Sequence, residues 1–522
     1  MVRNRISKLP RYRGQTTTSI TATQSKDRLI PPQTEFPESN IRIPSLKLAG
    51  DDNDNDAVQL PMIRDTGAER VVLNPGRYIS GIEPEPVHWW GPIHSSTVAA
   101  QHWNQHLDAV TSYLTRKGIP WAAVHLGTLN DEVTVAVLYN AGGVWDENLL
   151  KQELRSLYFP AEIFAEIIFA LAEVKKEEAA GLSEYTDSVR CGAGIGIRGV
   201  NWSSGTVGGY FQSDDGSLYG LTCHHVLLPT KQRSYSDDNK AKIRGYPAYL
   251  DRVGVDHSEF DSQNGGIEVV HPPCGMHERA VSGFLNAKKD KQREIENLNT
   301  VYESRGTRAP RNIIKKIRGA IAEISNGLSI VQKYNRSFGT VVATSGYRVE
   351  PGTRHSIDWG LFKIPERRIA RWKKPRTVWN ETILDERCRP SASWSRLLLS
   401  NRTCFRGIAD PVEDEKVFKV GRSTGQTFGI ISGVKDGVTL RENLGQTMEW
   451  CVVGTHEDRG KDFAAAGDSG SLVFNQNLEV VGIITAGCSF TGRLTYITPI
   501  KLVLADIERK TGMRLHFSDG TS

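Results

Sequence analysis

The chain has 522 residues, of which 39% are hydrophobic and 24% charged, and a formal net charge of +5. That length exceeds what one hydrophobic core serves, so two or three domains are expected. So small a charge does not argue for a nucleic-acid binder, and no apolar run is long enough to span a bilayer; the best candidate, 159–174, is broken by Glu162, Glu166 and Glu173.

The seven cysteines are scattered, odd in number and free of any CxxC pair. They read as reduced thiols, which points to an intracellular protein, cytoplasmic or nuclear. The first twenty residues carry Arg3, Arg5, Lys8, Arg11 and Arg13 without the apolar centre of a signal peptide. Their acid-free, hydroxyl-rich character also fits a mitochondrial transit peptide, but a disordered tail is the preferred reading.

Residues 1–80 are rich in Pro, Ser, Thr, Asn and Asp and cannot bury enough apolar surface to offset the entropy of ordering, so disorder is expected. The acidic run from Asp51 to Asp56 lacks the glycine and distal glutamate of a calcium loop. Residues 81–184 read as a small α+β accessory module or pro-domain. Ala100, Trp103, Leu107, Val110 and Leu114 recur at helical spacing over 97–117, two strand-like runs follow at 121–126 and 132–138, and a long helix is predicted over 147–180. The aromatic cluster His88-Trp89-Trp90 reads as core or docking surface.

From 185 to 522 the texture is that of short β-prone runs with glycine between them, at 205–211, 219–228, 339–344, 358–364, 427–434 and 480–486. Many short strands with turn signals predict a mainly β domain, an antiparallel barrel or sandwich. Charged, helix-forming sequence at about 276–335 reads as a helical insertion between barrel strands.

The strongest chemical signal is Gly467-Asp468-Ser469-Gly470-Ser471, followed by the apolar Leu472-Val473-Phe474. Acyl transfer needs a hydroxyl on a tight turn with backbone N–H groups near the developing oxyanion, and flanking glycines permit such a turn. Taken alone, the tetrapeptide is equally an ordinary turn. A hydroxyl needs a base, and Leu221-Thr222-Cys223-His224-His225-Val226 supplies histidine at the end of a predicted strand. In Ser356-Ile357-Asp358-Trp359-Gly360-Leu361, Asp358 opens an apolar run and is the candidate carboxylate; Asp256 and Asp261 are rivals without such a strand.

Thr-x-x-His at a strand end, Asp before a small residue and Leu, and Gly-Asp-Ser-Gly, in that chain order, resemble the trypsin/chymotrypsin superfamily. The run Phe418-Lys419-Val420-Gly421-Arg422-Ser423-Thr424-Gly425 is similar to intracellular fungal members and some plant ones. The resemblance implies a double antiparallel β-barrel, with Ser469 as nucleophile, His225 rather than His224 as base, and Asp358 orienting it. The oxyanion would be received by the N–H groups of Gly467 and Ser469. Thr485, Ala486 and Gly487 would lie in the strand that pairs with the substrate backbone. Phe463, six residues before the nucleophile, and Leu494 would line the primary pocket, where no carboxylate stands to receive Arg or Lys; a neutral, small or apolar residue is therefore expected before the scissile bond. Departures from the pattern are Gly-Ser rather than Gly-Gly after the serine, the missing disulfides, and a separation of 133 residues between His225 and Asp358.

The implied activity is that of a serine endopeptidase acting on protein or peptide substrates, without cofactor or metal and without nucleic-acid or membrane partners. A metal site from Cys223, His224, His225, His271 and Cys274 matches no ligand spacing. The alternative is a catalytically idle, protease-like barrel serving as a binding or regulatory module. An active intracellular protease needs restraint, and the N-terminal module is the candidate for it, either through self-cleavage near 184–196 or by docking on the barrel.

Overall fold

The computed structural model describes residues 72–73, 88–129, 132–139, 145–171, 182–187, 189–229, 250–255, 266–369, 381–382, 403–439, 444–455, 462–488 and 494–517. The expectations for the N-terminal tail, its acidic run, Asp256 and Asp261 lie outside these residues.

After the two-residue strand Val72–Leu73, the described chain continues with strand β1 (His88–Gly91), helix α1 (Val98–Arg116), β2 (Trp121–Leu129), β3 (Glu132–Tyr139), α2 (Glu147–Leu157) and β4 (Glu166–Leu171). Helix α1 is capped by the Thr97 hydroxyl, which accepts from the Ala100 N–H at 3.1 Å. The helix expected over 147–180 is a correction. It stops at Leu157, and 166–171 is a strand running parallel to β3 in the register Thr134↔Glu166 to Tyr139↔Leu171. Pro160 ends the helix, since it lacks an N–H and disfavours helical geometry in the residue before it. The run Ile167-Ile168-Phe169 then puts β-favouring side chains on both faces of a strand.

The first barrel is built from β5 (Gly194–Ile197), β6 (Gly205–Thr206), β7 (Gly209–Ser213), β8 (Leu218–Thr222), the single helical turn α3 (His224–Leu227), β9 (Glu268–Val270), β10 (Ser337–Thr344) and β11 (Gly360–Lys363). Its sheet runs β7-β8-β11-β10-β9-β5-β6. Because β6 leads directly into β7, the sheet curls back on itself. Between β9 and β10 stand two long helices, α4 (Cys274–Ser304) and α5 (Arg311–Lys333), which form the expected insertion.

The second barrel comprises β12 (Lys416–Gly421), β13 (Gly425–Val438), β14 (Thr447–Gly454), β15 (Leu472–Asn475), β16 (Glu479–Cys488) and β17 (Leu494–Pro499), followed by helix α6 (Ile500–Thr511). Here the ring closes by antiparallel pairing throughout: β12-β13-β14-β17-β16-β15 and back to β12. Both barrels bury their large side chains inward, Phe211, Phe338 and Phe362 in the first and Val452, Val473 and Ile497 in the second.

The N-terminal strands are joined to the second barrel. Strand β2 extends its sheet through Gly437↔Val124 and Val438↔Ala123. Alternation along β2, β3 and β4 gives this sheet two apolar faces. Val124, Leu126, Val135, Val137 and Ile167 pack on helices α1 and α2, while Ala123, Ala136 and Leu138 pack on barrel residues including Leu494 and Tyr496. Across the joint, Trp103 Nε1 donates to the Lys435 carbonyl at 3.0 Å, and His125 Nδ1 lies 2.7 Å from Asp436 Oδ2, both side chains wholly buried. Among the described residues the second carboxylate oxygen of Asp436 has no hydrogen-bond partner, so the histidine carries the burden of compensating a buried acid. Replacing His125 with Ala is expected to destabilise the chain by about 3–5 kcal/mol, the cost of leaving a buried charge uncompensated. A calorimetric melting curve compared with wild type measures it, and an unchanged midpoint would show that the pair does not hold the joint.

Candidate active site

Strand register brings the histidine and aspartate segments together. Strands β8 and β11 pair antiparallel with Thr222 opposite Gly360. The residues just after Thr222 and just before Gly360 therefore emerge at the same sheet end. His225 sits in the turn α3 and Asp358 immediately before β11. The Asp358 carboxylate makes two contacts with this residue: Oδ2 lies 2.6 Å from His225 Nδ1, and Oδ1 accepts the His225 backbone N–H at 3.1 Å. An ionised carboxylate only accepts, so Nδ1 carries the hydrogen and Nε2 is left as the acceptor. The Asp358 side chain is 8% exposed and the His225 ring 24%. His224 points elsewhere: it is buried, with its ring edge-on to Tyr347 at a centroid distance of 4.6 Å.

Ser469 reaches this region on a loop from the second barrel. Its carbonyl accepts the Thr206 N–H at 2.8 Å, and the next residue, Gly470, donates to Ile484 at 2.8 Å. Gly467 and Gly470 have φ of 97° and 92°, the left-handed region that side chains avoid. A Cβ on Gly470 would also lie 2.3 Å from Thr222 Oγ1, on the strand that leads to His225. Close backbone approach thus seats the serine loop against the histidine strand end. The N–H groups of Asp468, Gly470 and Ser471 are spent on Ala465, Ile484 and Asp468 carbonyls. Among the described residues, those of Gly467 and Ser469 donate to no protein acceptor.

What holds this turn is a buried ion pair that the sequence reading did not single out. Asp468 and Lys419 are both wholly buried, with Nζ 3.0 Å from Oδ2. Asp468 also accepts from Ser423 N at 2.7 Å, Thr424 Oγ1 at 2.7 Å and Ala465 N at 3.0 Å. Lys419 lies opposite Val473 in the β12–β15 pairing, which carries it beside the end of the serine loop. Burial alone would raise the Asp468 carboxyl; Lys419, the Thr424 hydroxyl and the Ser423 and Ala465 N–H groups outweigh it and hold the group below its ordinary 3.8.

The residues expected to contact substrate are dispersed. Thr485 is buried, Ala486 half-buried and Gly487 exposed along β16. Phe463 is wholly buried in the second barrel core with Val417, Ile431 and Val452, and Leu494 is buried against the N-terminal sheet. Two groups among the described residues gather metal-capable atoms within 4.8 Å, Cys223–His225–Asp358 and His125–Asp436–Cys451. In each the His–Asp separation, 2.6 or 2.7 Å, is a hydrogen bond. Two tetrahedral ligands of one zinc ion sit about 3.3 Å apart, so neither group is set for metal as it stands. His271 bonds instead to the Gly194 carbonyl at 2.7 Å, and Cys274 Sγ accepts from Gly199 N at 3.3 Å.

The depressed carboxyl has a pH consequence. Ionised Asp468 favours the folded state above its unfolded value near 3.8, and that contribution is lost as pH falls below it through the lower folded value. In Lys419→Met the counter-charge is gone and burial acts unopposed by it. The expected result is a loss of about 3–5 kcal/mol at neutral pH, with the acid limb of stability moved to higher pH. Urea unfolding measured from pH 3 to 8 checks this; superimposable profiles for the two proteins would contradict it.

No protein-family model matches the chain, and no curated protein matches it. Among solved structures it is similar to Thermobifida fusca protease A, at 11% identity over 63% of this chain and 98% of that one, with a TM-score of 0.29. It is similar also to a Nocardiopsis protease, at 11% identity over 63% and 98% with a TM-score of 0.28, and to the Cellulomonas bogoriensis chymotrypsin, at 14% over 63% and 98% with a TM-score of 0.28. The strand order stands independently of these likenesses: the fold is mainly β, a chymotrypsin-like double barrel with a helical insertion and an N-terminal α/β extension.

Proposed function

We propose that the chain is a serine endopeptidase. Ser469 Oγ attacks the scissile carbonyl while His225 Nε2 takes its proton; the oxyanion is received by the N–H groups of Gly467 and Ser469. Collapse breaks the C–N bond, His225 returns the proton to the departing amine, and an ester to Ser469 remains. Water, deprotonated by the same imidazole, then releases the acid. Asp358 fixes the tautomer and steadies the imidazolium.

The observation that carries this reading is the two-point contact of Asp358 with His225, through Nδ1 and the backbone N–H. A merely structural histidine needs one partner; two bonds to one carboxylate fix the ring's rotation as well as its tautomer. The unspent N–H groups on either side of Asp468 support the same reading.

The substrates are proteins or peptides. A reducing, intracellular compartment fits the odd and scattered cysteines. No described helix is long and apolar enough to cross a membrane. Of the two forms of restraint expected, packing favours docking over self-cleavage at 184–196. Tyr185, Val189 and Cys191 are buried, and the Gly192 N–H donates to Val207 at 2.9 Å, so the junction is part of the folded wall.

The test is hydrolysis of a peptide library by wild type, Ser469→Ala, His225→Ala and Asp358→Asn. Asp358→Asn is expected to lower turnover by about 10⁴-fold, and a double replacement of Ser469 and His225 to add little to either single one. Equal hydrolysis by Ser469→Ala and wild type would refute the assignment, and absence of hydrolysis by wild type would favour the idle binding module.

A further inference from the structure

Among the described residues, strand β16 has a neighbour on only one side where substrate is expected. Its pairing with β15 ends at Leu472↔Ile483, whereas pairing with β17 continues through Ala486↔Tyr496 and Gly487↔Thr495. An extended peptide adding to the open side of 485–487 would make main-chain bonds and turn alternate side chains to each face. On the face of Ala486 the barrel's larger side chains, Leu494 and Tyr496, are buried, which leaves the Ala486 methyl as the half-buried barrel side chain of that cluster.

The remaining surface on that face comes from the N-terminal sheet. Leu129, at the end of β2, and Ile168, in β4, are half-buried and pack against the same apolar cluster as Ala486. That cluster includes Ala136 and Leu138 from the sheet and Leu494 and Tyr496 from the barrel. All three are half-buried members of one apolar cluster, and exposed Gly487 follows Ala486 in the strand. The sheet is fixed in place by its backbone bonds to β13, by the buried His125–Asp436 pair and by Trp103 on the Lys435 carbonyl. A wall held this way is preorganised, and a preorganised wall selects without first paying an ordering cost.

We propose that Leu129 and Ile168 are specificity-determining residues: with Ala486 they form an apolar wall on the acyl side of the scissile bond. The N-terminal module thereby selects peptides with a large aliphatic or aromatic side chain at one of the positions two to four residues before the cut. This rests on the endopeptidase reading. The module is then a permanent part of the substrate channel and not a removable pro-segment.

The experiment uses the full-length chain and fluorogenic peptides in which each of the four residues before the cut is in turn Leu or Ser. Wild type is expected to prefer Leu at one position beyond the first. The double variant Leu129→Ser, Ile168→Ser should lower that Leu-to-Ser ratio of kcat/KM by about tenfold, the scale on which an apolar pocket discriminates. Leu129→Phe, which fills the wall, should shift the preference toward smaller residues, and it decides the matter if the double variant fails to fold in a thermal scan. No apolar preference in wild type beyond the first position, or a ratio unmoved in folded variants that still hydrolyse peptides, would overturn the proposal. Absence of hydrolysis by wild type, with no labelling by a small fluorophosphonate, would instead bring down the endopeptidase reading on which it stands.

Discussion

A carboxylate without access to water sits immediately before Ser469, and the arrangement of the candidate site depends on how it is satisfied. Asp468 is wholly buried and ionised. An isolated charge there would be costly enough to unfold the loop or force protonation. Lys419, a hydroxyl and two backbone N–H groups answer it instead. Those partners come from the hairpin of β12 and β13 and from the loop itself, and Thr206 of the first barrel adds bonds to the Gly467 and Ser469 carbonyls. The consequence is local: with Asp468 drawn inward, Gly467 and Ser469 present N–H groups that no acceptor among the described residues uses.

The second constraint is the seam between the barrels. His225 and Asp358 belong to the first, Ser469 to the second, and the proposed chemistry requires them at one place. Glycine makes the approach possible. Gly470 lies against Thr222 and Thr206, and Gly208 lies so close that a Cβ there would meet the Gly470 carbonyl at 2.1 Å. A side chain at either position would force the barrels apart, and the proximity that the proposed reaction needs tolerates little displacement.

The motifs of the site were legible because they are local. Gly-Asp-Ser-Gly, the strand-end histidine and the strand-opening aspartate each announce themselves within five residues. What resolves the histidine doublet is not local: His224 and His225 look alike in sequence, and only the pairing of β8 with β11 turns His225 toward Asp358. Lys419 was hidden for the same reason. A lysine between Phe418 and Val420 hints at burial, but its partner lies 49 residues away. The α/β extension misled in another way. Strand β4 carries Glu166 next to Ile167, and glutamates at 162, 166 and 173 spaced like a helix face concealed the alternation beneath. That its sheet would be apolar on both faces, and so cover the barrel, was a matter of tertiary packing. Phe463 and Leu494, carried over from the family pattern, lie in apolar cores, a matter of tertiary packing that spacing from the serine does not reveal.

The central claim is that Ser469 is an activated nucleophile and not a turn residue. Incubation of the purified full chain with a fluorophosphonate, followed by intact-mass measurement and peptide mapping, tests it most directly. The account expects a single adduct, located on Ser469 and lost in Asp358→Asn. An unmodified protein, or an adduct on any other residue, would contradict it.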